Sequence, residues 1–307
     1  MSDTGSQLSA EFERNVETEA TDVSAILVME DNKVLTAERR KVTLYDEDFQ
    51  QITKYEIKEA GWWGMITDMT LTGQHTFSLL LPGFWYESWL VSFEITEESQ
   101  IKKRKILEIK TQAFGLCYQR EFFFVTFSPK HLIPFRKNPP GYICMINKKG
   151  ENRHTFKNDG DNKNIFGSSL SKIYVDQNFK MFVCDKEKNE IVILQIDPFT
   201  YAATVITRHK YSVMDIATKV DRTSFLATNH KDGVVLLHAN GRWVFNNFLS
   251  SERLNGTPTA LAYNEGSQQL MVSVRHSQWF RQKKWLLFQI YIVKYSQDTD
   301  TRVSIEN

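Results

Sequence analysis

The sequence has almost no net charge, few cysteines, no long apolar run and no helical periodicity, and each absence removes a class of protein. Lys and Arg total 38 against 37 Asp and Glu, a formal net charge of +1. No field of one sign therefore gathers nucleic acid, an anionic membrane or an acidic substrate, and any such binding has to come from local patches. The three cysteines, Cys117, Cys144 and Cys184, are too scattered for a disulfide framework. They fit buried thiols in a reducing compartment, and the expected localisation is cytoplasmic. Met1 to Ala20 is polar and acidic without an apolar centre, so no secretory signal is expected. The most apolar late segment, Trp285 to Val293, is nine residues long and broken by Gln289. It is too short to cross a bilayer as a helix, so no membrane partner is expected.

Motifs of nucleophilic, zinc and phosphate chemistry are missing as well. The seven histidines are dispersed, with no HxxxH pair, no GxSxG elbow and no GxxxxGK loop.

What the chain does have is period. Short alternating runs such as Ala25 to Met29, Val34 to Ala37 and Val42 to Tyr45 are separated by turn residues, which predicts strands throughout. The runs recur in units of about 45 to 50 residues, and several units open on an aromatic residue followed by glycine: Trp63-Gly64, Phe114-Gly115 and Phe166-Gly167. The glycines are 51 and 52 residues apart, and Tyr211-Ser212 and Gly256-Thr257 continue the series more loosely. Six units of about four strands predict an all-β, six-bladed β-propeller of four-stranded antiparallel blades, which protects its edges by closing into a ring. The expected domain is 21–307, with 1–20 an N-terminal segment. The closing strand comes either from Phe12 to Val16 or from Arg302 to Ile305. A pair of β-sandwiches is the alternative, but it leaves the aromatic-glycine register unexplained.

Ser171 to Asp197 (SKIYVDQNFKMFVCDKEKNEIVILQID) resembles an NHL repeat. Val175-Asp176, Val183-Cys184-Asp185 and Asn189-Glu190-Ile191 fill that repeat's Val-Asp, Val-x-Asp and Asn-x-Ile places. The first and fifth units share the rhythm without the aspartates. The resemblance implies a module like the C-terminal propeller of invertebrate tripartite-motif proteins, a binding propeller whose targets are proteins or RNA. Three scattered cysteines cannot build the RING and B-box sites that usually accompany it, so ubiquitin ligation is not implied.

The first expectation for function is a non-catalytic NHL-like propeller binding a protein partner or a small apolar ligand at the channel mouth. The aromatics opening the blades, Trp62, Trp63, Phe114, Phe166 and Tyr211, are the candidate ligand-binding residues, with Trp85 and Tyr86 as loop anchors. Packing between blades is their other role. The competing expectation is a channel-centred enzyme on a small organic substrate, of the lactonase or strictosidine-synthase type. Its acid or base is sought among Asp68, Asp215 and His209, and its cofactor, if any, is calcium. Asp22, Asn164 and Asn255 are further candidate oxygen ligands, though no spacing demands a metal. A third expectation is RNA bound at Lys102 to Lys105 or Arg281 to Lys284. Lysines on an outer strand also serve to block edge-to-edge pairing.

Overall fold

The structure is a computed structural model that describes residues 7–17, 23–58, 64–83, 87–129, 137–159, 162–218, 224–229, 233–238, 243–275 and 287–296. The first strand, β1 (Gln7–Glu17), stands apart from its neighbours in sequence. Blade one follows as β2 (Val23–Val28), β3 (Val34–Glu38), β4 (Lys41–Tyr45) and β5 (Gln51–Glu56). Blade two is β6 (Asp68–Gly73), β7 (Thr76–Pro82), β8 (Ser88–Ile95) and β9 (Ile101–Ile109). Blade three is β10 (Ala113–Gln119), β11 (Phe122–Phe127), β12 (Tyr142–Asn147) and β13 (Asn152–Phe156). Blade four is β14 (Leu170–Val175), β15 (Lys180–Asp185), β16 (Glu190–Ile196) and β17 (Ala203–Lys210). Blade five is β18 (Val213–Thr218), β19 (Ser224–Asn229), β20 (Gly233–His238) and β21 (Trp243–Leu249). A single helical turn, α1 (Ser251–Leu254), leads into β22 (Thr257–Asn264), β23 (Gln269–Arg275) and β24 (Leu287–Ser296).

The described strands pair into six four-stranded antiparallel sheets, and here the sequence period needs correcting. Five blades, not six, are complete within one contiguous stretch of chain. The remaining sheet has the order β1-β24-β23-β22 and takes its outer strand from the other end of the molecule. β1 pairs with β24 from Gln7 opposite Ser296 to Glu17 opposite Leu287, with one bulge between Phe12 and Arg14. Gln269 donates to Glu13 (2.8 Å), and Arg253 within α1 donates to the Ala10 carbonyl (3.0 Å). The segment 302–305, the other closing candidate, lies outside the described residues.

The innermost strands β2, β6, β10, β14, β18 and β22 neighbour one another in that order, and β22 returns to β2. Apolar clusters fill the wedges between adjacent blades. Leu35, Leu44, Phe77 and Phe93 join blades one and two, while Phe124, Phe156, Phe166 and Met181 join three and four. This position explains the strand patterns. A middle strand such as β11 is covered on both faces and reads as a continuous apolar run, whereas outer β17 alternates half-buried and exposed residues. Each fully buried Phe or Leu stabilises the ring by roughly 1.5–3 kcal/mol. Lys102 to Lys105 lie exposed on β9, an outer edge strand.

Glycine opens the blades for a steric reason. A Cβ at Gly115 would stand 1.9 Å from the Ser171 carbonyl oxygen, so β10 could not approach β14. Thr126 seals that approach by accepting from the Gly115 N–H (2.8 Å) and donating to the same carbonyl (2.7 Å). At Gly167 the N–H donates to the buried Asp185 carboxylate (2.6 Å). Among the described residues no helix is long and apolar enough to cross a membrane.

Candidate functional site in the central channel

Bulges decide which side chains reach the channel. Register shifts interrupt the starts of β2, β10, β14, β18 and β22, where the extra residue of a bulge is left unpaired and its side chain re-aimed. The residues at those shifts are Ser24, Phe114, Ser171, Lys172, Met214, Asp215 and Thr259, and nearly all of them line one end of the channel.

Lys172, from blade four, spans the ring. Its ammonium donates to Asp68 Oδ1 of blade two (2.6 Å) and to the Ser24 carbonyl of blade one (3.0 Å), and it stands 3.6 Å from Asp215 Oδ1 of blade five. All three ionisable side chains are buried. Each carboxylate is also held by the backbone. Asp68 accepts from the N–H groups of Met69 (3.0 Å) and Leu116 (2.8 Å), and Asp215 from those of Ile216 (3.0 Å) and Leu261 (2.9 Å). Buried charges need such partners, since an uncompensated one costs several kcal/mol.

Burial pushes the Asp68 pKa up to about 6, with Lys172 pulling it back and Asp215 adding to the rise. Asp215 is raised by burial in the same way. Burial works against the charge on Lys172, but the two aspartates outweigh it and its pKa is raised. Burial thus works against the charge on all three groups, and their mutual attraction opposes it.

The cluster divides the channel into two cavities. The first, of about 370 Å³, opens where the inner strands begin and contains Lys172 in its wall. The second, of about 360 Å³, opens where they end and is lined by Tyr118, Tyr174, Tyr263, Asp68 and Asp215. Lys172 belongs to both, and the aspartates only to the second.

The structure distributes the sequence-predicted residues unevenly. Phe114 lines the first cavity, while Asp68 and Asp215 meet at the channel centre. Phe166 is instead fully buried between blades three and four, beside Ile165 and Phe156, because Gly167 bonds Asp185 and leaves the preceding ring on the core side. Tyr211 packs in the wedge between blades four and five with Val213 and Phe182. His209 lies on outer strand β17 opposite Ile191, remote from the inner strands. Asn164 forms an isolated bridge with Asn158, and Asn255 caps α1 in a left-handed conformation, φ 49°. Trp62, Trp63, Trp85, Tyr86, Asp22 and Arg281 to Lys284 lie outside the described residues.

Sequence reasoning missed Lys172. The available signal was a lysine placed inside the otherwise apolar inner strand of the Ser171 to Asp197 repeat. It also missed Arg39, Lys186 and Arg275, which line the first cavity from the far ends of second strands. Among the described residues no three His, Cys, Asp or Glu side chains gather as a metal site.

No family model and no curated protein matches the chain. Solved structures do. The PQQ-bound aldose sugar dehydrogenase of Streptomyces coelicolor superposes with a TM-score of 0.66 at 12% identity, over 94% of this chain and 99% of that one. U3-55K gives 0.62 at 10% identity, over 91% and 97%. The Cps50 (Swd1) β-propeller domain of Myceliophteria thermophila gives 0.56 at 11%, over 89% and 83%. At these identities the likeness shows the β-propeller fold alone.

Proposed function

We propose that the chain is a non-catalytic binding propeller that takes its ligand or partner at the channel mouth where the inner strands begin. The observation that carries this reading is the saturation of the central cluster. Both oxygens of Asp68 and both of Asp215 accept backbone N–H bonds, and Lys172 donates to Asp68 and the Ser24 carbonyl beside Asp215. A general acid or base needs an atom within hydrogen-bond reach of its substrate. These groups bond the ring to itself and form a floor, and above the floor lies a cavity with Phe114 and Met214 in its wall. The NHL-like rhythm of Ser171 to Asp197 supports a binding module, as does likeness to the WD40 repeats of RRP9. Three buried free thiols favour a cytoplasmic setting.

One observation favours the enzymatic reading. Asp68 titrates near 6, as acids tuned for catalysis do, and the dehydrogenase with bound PQQ has the same fold. Native mass spectrometry of the chain purified from its own source separates the two. The binding reading expects a retained mass that disappears when Met214→Trp fills the cavity. Release of a chemically altered molecule, lost in Asp68→Asn, would overturn it.

A further inference from the structure

The first cavity is electrostatically one-sided. Four cations stand in its wall, namely Arg39, Lys172, Lys186 and Arg275, and no described carboxylate does. The aspartates beneath open to the opposite cavity, and Lys172 lies between them and this mouth. The two ends of one channel thus have opposite character.

The cations are positioned by the fold. Arg39 and Lys186 directly follow the second strands of blades one and four, and Arg275 ends β23 of the sheet closed by β1. Arg39 holds a left-handed conformation, φ 46°, in the turn between β3 and β4, and its carbonyl accepts from the Ile66 N–H at the lip. The Lys186 N–H is fixed to the Ser169 carbonyl (2.8 Å). Neither side chain pairs with a carboxylate among the described residues. Loss of water to the surrounding wall, with Lys172 adding repulsion, pushes the Lys186 pKa down. An ammonium crowded by a second cation gains from an anion seated between them.

We propose that this mouth binds a small organic anion, a carboxylate or phosphate ester, with its charged oxygens on Lys186, Arg275 and Arg39 and its apolar body against Phe114 and Met214. The proposal rests on the binding reading above and gives it a ligand class. The hydroxyls of Thr67, Ser171 and Thr259 also line the wall but donate to the Leu80, Cys184 and Ser273 carbonyls, which leaves the cations as the groups that meet an anion. A volume of about 370 Å³ suits a small molecule better than a polymer.

The test is calorimetric titration of the full chain with benzene-1,3,5-tricarboxylate, its neutral triamide and phenyl phosphate. The anions are expected to bind at least about tenfold more tightly than the triamide and to weaken as salt rises. Lys186→Gln and Arg275→Gln should each cost about tenfold in anion affinity, while Lys148→Gln, exposed on another blade, changes nothing. Preference between tricarboxylate and phenyl phosphate assigns the anionic group. Equal binding of anion and triamide overturns the proposal, as does indifference to both mouth variants or an equal loss in Lys148→Gln. If the triamide binds as tightly as the anions and Met214→Trp abolishes both, the anion proposal fails while the binding reading survives. If no probe binds and Met214→Trp alters no retained mass, both fail.

Discussion

Asp68 and Asp215 occupy opposite blades and make the same bond: one carboxylate oxygen of each accepts from an N–H of the next inner strand, Leu116 at 2.8 Å and Leu261 at 2.9 Å. Each aspartate therefore fastens its blade to the following one. Lys172 ties the two fastenings together across the axis.

Removing the tie should cost more than removing the whole cluster. Lys172→Met leaves two buried carboxylates without their cation, and the expected loss is about 3–5 kcal/mol in urea unfolding. The triple variant Lys172→Met, Asp68→Asn, Asp215→Asn should recover much of that loss, since no charge is left buried.

The pH dependence follows from Asp68. Its folded pKa of about 6 lies above the ordinary 3.8, so between those values the folded chain holds a proton that the unfolded chain has released. This group's contribution to stability is then greatest below about pH 4, falls as pH rises to about 6, and is flat above that. Chemical denaturation across pH 4–7 should show the decline in the wild type, and Asp68→Asn should make it shallower, leaving the part due to Asp215, which is raised in the same direction.

The blade-opening glycine is a steric necessity at position 115. Gly115→Ala places a methyl 1.9 Å from the Ser171 carbonyl oxygen and should destabilise by about 3 kcal/mol, the upper range for overpacking. Gly266→Ala, whose added methyl comes no nearer than 3.4 Å to any atom, should change the thermal midpoint little. Equal losses would refute this account of the register.

Closure through β1 is expected to be structural rather than decorative. A chain lacking residues 1–17 exposes the β24 edge and should unfold at lower temperature, by about 2–4 °C for each kcal/mol lost. It should also self-associate, as unpaired edges do, which size-exclusion chromatography would read directly. A monomer with an unchanged midpoint would contradict this.

Strands were legible because their pattern is local: alternation in β17 and apolar runs in β11 show in a few residues each. The period was legible because blades repeat, and Asp68 and Asp215 stood out as carboxylates at strand starts. The aromatic-glycine pair was misread in part, because a blade opening needs a missing Cβ rather than a ring at the mouth. Phe166 accordingly faces core, while Phe114 sits on a bulge and faces the channel. Lys172 was hidden because Asp68 lies 104 residues away in sequence and meets it only once the ring has closed. The mouth cations come from second-strand ends of three separate blades, which no linear pattern relates.

The pairing of β1 with β24 also bears on biosynthesis. Glu11 and Lys294, joined across that sheet, are 283 residues apart. At ordinary translation rates the first strand leaves the ribosome on the order of tens of seconds before its partner exists. Until then a nascent chain exposes an unmatched strand bearing Phe12, and five finished blades wait on the sixth. Emergence of β24, rather than synthesis of any earlier blade, is the event that lets the ring close.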